Sequence, residues 1–103
     1  MSLTVRAERE GTILRVVLSG ELDAHTAAVV GAAVDPELDQ AGLSGVVVDS
    51  GELAFMDSAG ISELLRIQRV LADRGASIRV ENAGPTVRRV LEITGLLEIL
   101  DVQ

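Results

Sequence analysis

Apolar and polar positions alternate with period two at the start of the chain. Leu3, Val5 and Ala7 are separated by Thr4, Arg6 and Glu8, the signature of a half-buried strand. Glu10-Gly11-Thr12 reads as a hairpin turn, and Ile13 to Leu18 as a second, more apolar and so more central strand that Gly20 ends. The pattern then changes. Ala24 to Ala41 is rich in Ala and Val and predicts a helix with Ala28, Val29, Ala32, Ala33 and Leu38 on its apolar face. Pro36 either interrupts that helix or opens a second piece of it. Val46 to Asp49 is a short β-branched run, read as a strand covered on both faces.

Beyond it, Ile61, Leu64, Leu65, Gln68 and Leu71 fall at helical spacing, with Glu63, Arg66, Arg69 and Asp73 off that stripe. This predicts a helix from Ser58 to Asp73, closed by Arg74-Gly75-Ala76 with Gly75 suited to a left-handed cap. Ser77 to Glu81 alternates again, with Ile78 and Val80 inward. Asn82-Ala83-Gly84-Pro85 is a turn, and Pro85 suits the first position of a helix that carries Val87, Val90 and Leu91 on one face. After Gly95, Leu96 folds back on Leu91. Leu97 to Val102 is a closing strand or a final packed segment. Strand–helix units of this length join parallel strands by crossovers. The expected architecture is an α/β fold, a single domain over 1–103, with a mixed sheet of four or five strands and helices on at least one face.

Composition narrows the function. The net charge of −7 disfavours nucleic acid and anionic lipid as partners and suits one that presents Arg or Lys. All nine basic residues are Arg, to which no function is attached. Phe55 is the only aromatic residue, which excludes a base-stacking platform. The chain has no cysteine, so thiol chemistry and Cys-based zinc sites are ruled out. No run approaches the roughly 18 apolar residues of a membrane helix, and Met1 to Glu10 lacks an apolar signal core. A cytoplasmic protein without membrane insertion is expected.

The candidate chemistry centres on Phe55-Met56-Asp57-Ser58-Ala59-Gly60-Ile61, where a strand ends and a helix begins. Ser58 is placed at or just inside a helix N-terminus, where free backbone N–H groups and the helix dipole favour an anion such as phosphate. Ser and Asp are also among the best N-cap residues, so Ser58 can simply start the helix, or Asp57 can cap it with Ser58 at the first helical position. Small residues at 58 to 60 keep the turn low, which suits close approach by another molecule.

Enzymatic arrangements find little support. His25, the only histidine, follows Asp23 in a turn, and the serine lies outside any Gly-x-Ser-x-Gly elbow. The acid pairs Glu21/Asp23 and Glu37/Asp39 read as solvated, with no metal expected. No glycine-rich phosphate loop occurs, so no cofactor is expected. The Arg88-Arg89 pair reads as solvated helix surface. No catalytic residue is assigned; the chemistry is expected to be done to Ser58 by a partner.

Three blocks give the chain a resemblance to STAS domains, and within them to the bacterial anti-anti-sigma factors (anti-sigma factor antagonists). Gly20-Glu21-Leu22-Asp23 resembles the motif after the family's second strand, and Phe55 to Ile61 its phosphorylation-site motif. Val87-Arg88-Arg89-Val90-Leu91-Glu92-Ile93-Thr94-Gly95-Leu96 resembles its C-terminal helix signature. The resemblance implies a small mixed sheet with helices stacked on one side. It also implies partner switching: the unphosphorylated protein binds an anti-sigma factor with serine kinase activity and frees a sigma factor, phosphorylation of Ser58 releases it, and a phosphatase restores it. It carries Asp23, Met56, Asp57, Ala59, Gly60 and Ile61 over as the partner-binding surface around Ser58. Ser62, one turn inside the helix, is the weaker acceptor. The chain departs from the family pattern at Asp49-Ser50-Gly51, where the family more often has Asp-Leu-Ser-Gly. Two alternatives remain: a constitutive STAS subunit of a larger assembly such as a lipid-transport ATPase, and a small enzyme using Asp23 and Asp57.

Overall fold

The structure, a computed structural model, describes residues 2–103. The elements run β1 (Leu3–Glu10), β2 (Ile13–Leu22), α1 (Ala27–Leu38), β3 (Gly45–Met56), α2 (Ser58–Asp73), β4 (Ser77–Glu81) and α3 (Pro85–Ile93). They form one mixed sheet in the order β1-β2-β3-β4. The β1–β2 hairpin is antiparallel, while β2–β3 and β3–β4 are parallel. A parallel pair cannot be joined by a tight turn, so α1 and α2 serve as the crossovers. The closing segment forms no fifth strand; it contributes a single parallel bridge between Val80 and Val102.

One face of the sheet makes the core. Leu14, Val16 and Leu18 of β2, Val46 and Val48 of β3, and Ile78 and Val80 of β4 are buried beneath Val30, Val34, Ile61, Leu64, Ile67, Leu71, Val87 and Leu91 of the helices. Fully burying one such side chain contributes about 1.5–3 kcal/mol. Ile67 joins the predicted stripe of α2, and Leu65 and Gln68 lie at its half-buried margin. The other face is open, which corrects the expectation that β3 is covered on both sides. Val47 and Asp49 are only half-buried there. Arg15 on that face bridges Asp49 at 2.9 Å and Glu81 at 3.3 Å. The β-branched residues of β3 thus reflect strand propensity rather than double burial.

Two strands run further than their sequence pattern indicates. β3 continues through Ser50-Gly51 to Met56, and β2 continues through Gly20 to Leu22. The register shifts between Val17 and Ser19 of β2 and again between Gly20 and Glu21, each time with one extra residue on β3. Such bulges change the inward spacing of β3 from two to three: Val46, Val48 and Ser50 are buried, then Leu53, then Met56. Gly20 does not end its strand. It adopts φ +113°, and a Cβ there would lie 2.3 Å from the Ser2 carbonyl oxygen, so glycine is required by both conformation and space.

The face of α1 also needs correction. Val30, Gly31, Val34 and Leu38 point inward, whereas Ala28, Val29 and Ala32 are exposed and Ala33 is half-buried. Pro36 lies inside the helix. With apolar residues on every side, periodicity cannot phase this helix. Both other helices end as their glycines indicate. In α2, Ala76 N–H donates to Leu71 O at 2.8 Å with Gly75 at φ +71°; in α3, Leu96 N–H donates to Leu91 O at 2.8 Å with Gly95 at φ +74°.

Candidate functional site

The parallel strands β2 and β3 end side by side, with Leu22 paired to Met56. The chain leaves β3 tethered, because Asp57 N–H donates to Leu22 O at 3.2 Å. It then turns at once into α2. Asp57 is the N-cap: its Oδ1 accepts from the N–H groups of Ala59 at 2.9 Å and Gly60 at 3.2 Å. Ser58 is therefore the first helical residue and is not needed as the cap, which decides between the two placements the sequence leaves open. Its side chain is on the exposed surface.

The cap leaves little for an anion. Of the four N-terminal N–H groups that a helix leaves unpaired, Asp57 N–H goes to β2 and those of Ala59 and Gly60 go to the Asp57 carboxylate. Only the N–H of Ser58 itself remains, so the expected ready-made phosphate cradle is largely filled by the chain's own carboxylate. A phosphate on Ser58 would project from the surface beside Asp57.

Asp23 lies just past the end of β2 and is 4% exposed. Its Oδ1 accepts from the N–H groups of His25 at 2.9 Å and Thr26 at 3.1 Å. Reciprocally, the Thr26 hydroxyl accepts from Asp23 N–H at 2.9 Å and donates to Glu21 O at 2.7 Å. Burial alone would raise the Asp23 pKa. The hydrogen bonds from His25 and Thr26, aided by the charge of His25, outweigh it and hold the carboxyl below its ordinary value. Asp23 Oδ2 is buried and has no hydrogen-bond partner. Thr26 is the residue that sequence reasoning missed; the Asp-x-x-Thr spacing before a helix is the signal for such reciprocal bonding.

The other residues assigned to the site divide by exposure. Met56 (2% exposed), Gly60 and Ile61 (9%) face the interior, whereas Ser58 is exposed and Asp57 and Ala59 are half-buried. Gly60 is held against β2 and β3: a Cβ there would lie 2.7 Å from Leu22 Cγ, 2.9 Å from Leu22 O and 2.9 Å from Met56 Cγ. Met56, Gly60 and Ile61 thus seat the turn against the core instead of offering side chains to a partner. Phe55, not assigned to the site from sequence, is 40% exposed three residues before Ser58.

Concavities of about 280, 370 and 210 Å³ lie between α1 and α2, beside the end of α3, and on the open sheet face, none lined by residues 55–61. Ser58 stands on the exposed surface, where a macromolecule can reach it. Among the described residues, no group of three or more His, Cys, Asp or Glu side chains is placed to hold a metal ion. Arg88 and Arg89 are exposed on α3, and His25 is exposed in the turn before α1. No described helix is long and apolar enough to cross a membrane.

A four-stranded mixed sheet with helices on one face, presenting an exposed serine at the first position of the helix that follows its third strand, defines the class. Residues 5–101 match the family described as "Mlab, STAS domain", and the chain belongs to the STAS domain family. The anti-sigma F factor antagonist of Paenibacillus polymyxa is 31% identical over 102 residues, covering 99% of this chain and 87% of that protein. The anti-sigma factor antagonist SpoIIAA in its unphosphorylated form superposes with a TM-score of 0.84 at 26% identity, covering 97% of this chain and 88% of the other. The Bacillus cell fate determinant SpoIIAA in the phosphorylated form gives 0.76 at 25% identity, covering 97% and 91%.

Proposed function

We propose that this chain is an anti-sigma factor antagonist switched by phosphorylation of Ser58. The observation that carries the reading is the exposed serine at the first position of α2, released from capping by Asp57. The similarity to antagonists solved with and without phosphate supports it. In this reading the unphosphorylated protein binds an anti-sigma factor with serine kinase activity and so frees a sigma factor. A phosphatase reverses the modification. Ser58, Asp57 and Ala59 meet the partner directly, while Asp23 is buried just past the end of β2, bonded to His25 and Thr26; Met56, Gly60 and Ile61 set the height and angle of the turn.

The phosphate adds a charge of about −1.5 to −2 at pH 7. Because Asp57 already takes the N–H groups of Ala59 and Gly60, that charge stays at the surface, where it repels partner acids and blocks close approach. Weakening binding a hundredfold requires only about 2.7 kcal/mol, well within reach of one desolvated repulsion. The fold itself is expected to remain intact. The alternative of a constitutive subunit predicts a serine that never carries phosphate, and the similarity to antagonists weighs against it.

Phosphosite mapping by mass spectrometry on protein from its own cells, with Ser58→Ala as control, tests the reading. Phosphate on Ser58 that disappears in the variant is the expected result. A chain that carries none under any growth condition overturns it.

A further inference from the structure

The two edges of the sheet are finished differently. On the outer side of β4, Val80 N–H donates to Asp101 O at 3.3 Å and Val80 O accepts from Gln103 N–H at 2.9 Å, so the closing segment covers that edge. β1 pairs with β2 on one side and, among the described residues, with no strand on the other. It is an eight-residue strand without proline or bulge, presenting a row of backbone donors and acceptors. Proteins ordinarily cover, shorten or break such an edge, or set charges on it that repel a second strand.

The charges on β1 do not repel a copy of themselves. Arg6 and Glu8 project from the open face with side chains 66% and 64% exposed, 3.6 Å apart. We propose that β1 pairs antiparallel with β1 of a second copy of this chain about a two-fold axis at Ala7, joining both sheets into one. In that register Arg6 lies opposite Glu8 of the second copy, and Glu8 opposite its Arg6. Sliding the axis to Arg6 or Glu8 sets like charges face to face, and an in-register parallel pairing does the same. Among these arrangements only the axis at Ala7 gives opposite charge pairs with no like pair, so the edge charges favour that orientation and register.

The layer above agrees. α1 packs over β1 and β2. Asp35 turns toward α2, where it pairs with Arg66 at 2.8 Å. The side of α1 turned away from α2 carries Ala33 and Glu37, both half-buried, with Val29, 42% exposed, toward the outer surface beside Ala32, whereas Ala28 lies on the stripe of Asp35 that faces α2. In the joined sheet the two α1 helices flank the axis on the same side. A helix seated between β1 and β2 lies about two strand spacings of ~4.8 Å from its mate, the 8–10 Å at which helices with small contact residues pack. Ser58, at the ends of β2 and β3, stays outside this contact.

Sedimentation equilibrium of the intact chain at low salt, up to about 1 mM, reads the association constant directly. The expected result is a shift from the monomer mass of 10.8 kDa toward twice that value with rising concentration. Arg6→Glu or Glu8→Arg alone is expected to weaken association about tenfold, because each replaces two favourable cross-strand pairs by two repulsive ones. The double variant Arg6→Glu/Glu8→Arg restores it, and a mixture of the two single variants associates more tightly than either alone. Val29→Asp weakens it independently of salt-sensitive pairing. Circular dichroism verifies the fold of each variant, as both edge side chains lie mostly in solvent. A wild-type chain that stays monomeric throughout, a dimer unmoved by Arg6→Glu, or a double variant that fails to recover would overturn the proposal.

Discussion

Replacing Gly60 by alanine adds one methyl group at the point where α2 is pressed onto the ends of β2 and β3. That methyl would stand 2.7 Å from Leu22 Cγ, 2.9 Å from Leu22 O and 2.9 Å from Met56 Cγ. Carbon atoms pack at about 3.5–4.0 Å, so all three contacts are deep in repulsion. Leu22 is fully buried and Met56 nearly so, and a strand carbonyl cannot swing aside without disturbing the hydrogen bond it accepts from Asp57. The first turn of α2 must therefore lift. Overpacking of this kind costs about 1–3 kcal/mol, while alanine recovers at most about 1 kcal/mol of helix propensity, less in a first turn. The net expectation is a loss of about 1–2 kcal/mol, which for a domain of this size lowers Tm by about 4–16 °C. Urea and thermal unfolding of the wild type and Gly60→Ala measure it. Because Asp57 and Ser58 ride on the same turn, a displaced cap should also appear as faster amide exchange at Ala59 and residue 60. A variant as stable as the wild type, with unchanged exchange at these amides, would falsify the claim that this glycine sets the position of Ser58.

Thr26→Val keeps the shape but removes the hydroxyl that bonds Asp23 N–H and Glu21 O; unfolding free energy should fall by about 1–3 kcal/mol, and a change below a few tenths would sink the assigned role. Asp23 and Asp49 both titrate below their ordinary value of 3.8, burial being outweighed at Asp23 by His25 and Thr26 and at Asp49 by Gly51, Asn82 and Arg15. A carboxyl depressed in the folded state adds stability that is complete above the unfolded pKa and is lost as pH falls through the folded one. Urea midpoints should therefore hold at neutral pH and drop on acidification below about 4, with a smaller drop in Asp49→Asn; an equal drop in that variant would contradict the assignment. Arg66 joins Glu63 at 2.7 Å and Asp35 at 2.8 Å, tying α2 to α1. Arg66→Ala should cost about 1 kcal/mol, less at high salt, since the pairs are partly exposed; a salt-independent loss would assign the effect to packing.

Some of this molecule was settled by sequence alone. The hairpin, the extent of α2 from Ser58 to Asp73, the alternation of β4, Pro85 at the start of α3 and the glycine closures at Gly75 and Gly95 all rest on interactions spanning a few residues, and local pattern determines such features. The strand end, cap and helix start within Phe55–Ile61 were legible for the same reason, being contiguous in the chain.

Tertiary structure decided the rest. Only the register against β2 reveals that β3 passes Ser50-Gly51 through two bulges, because an extra residue is defined by the strand opposite it. Only α2 and the sheet fix which side of the uniformly apolar α1 turns inward. The division of the motif is likewise non-local: Gly60 and Met56 are inside because Leu22 packs against them, and Ser58 is outside because Asp57 caps the helix in its place. That β1 borders a strand on one side only, among the described residues, is a property of sheet order, to which no single segment is privy. Sequence fixes what each short stretch prefers to be; burial, register and exposure depend on what packs against it, and that is set only when distant segments meet.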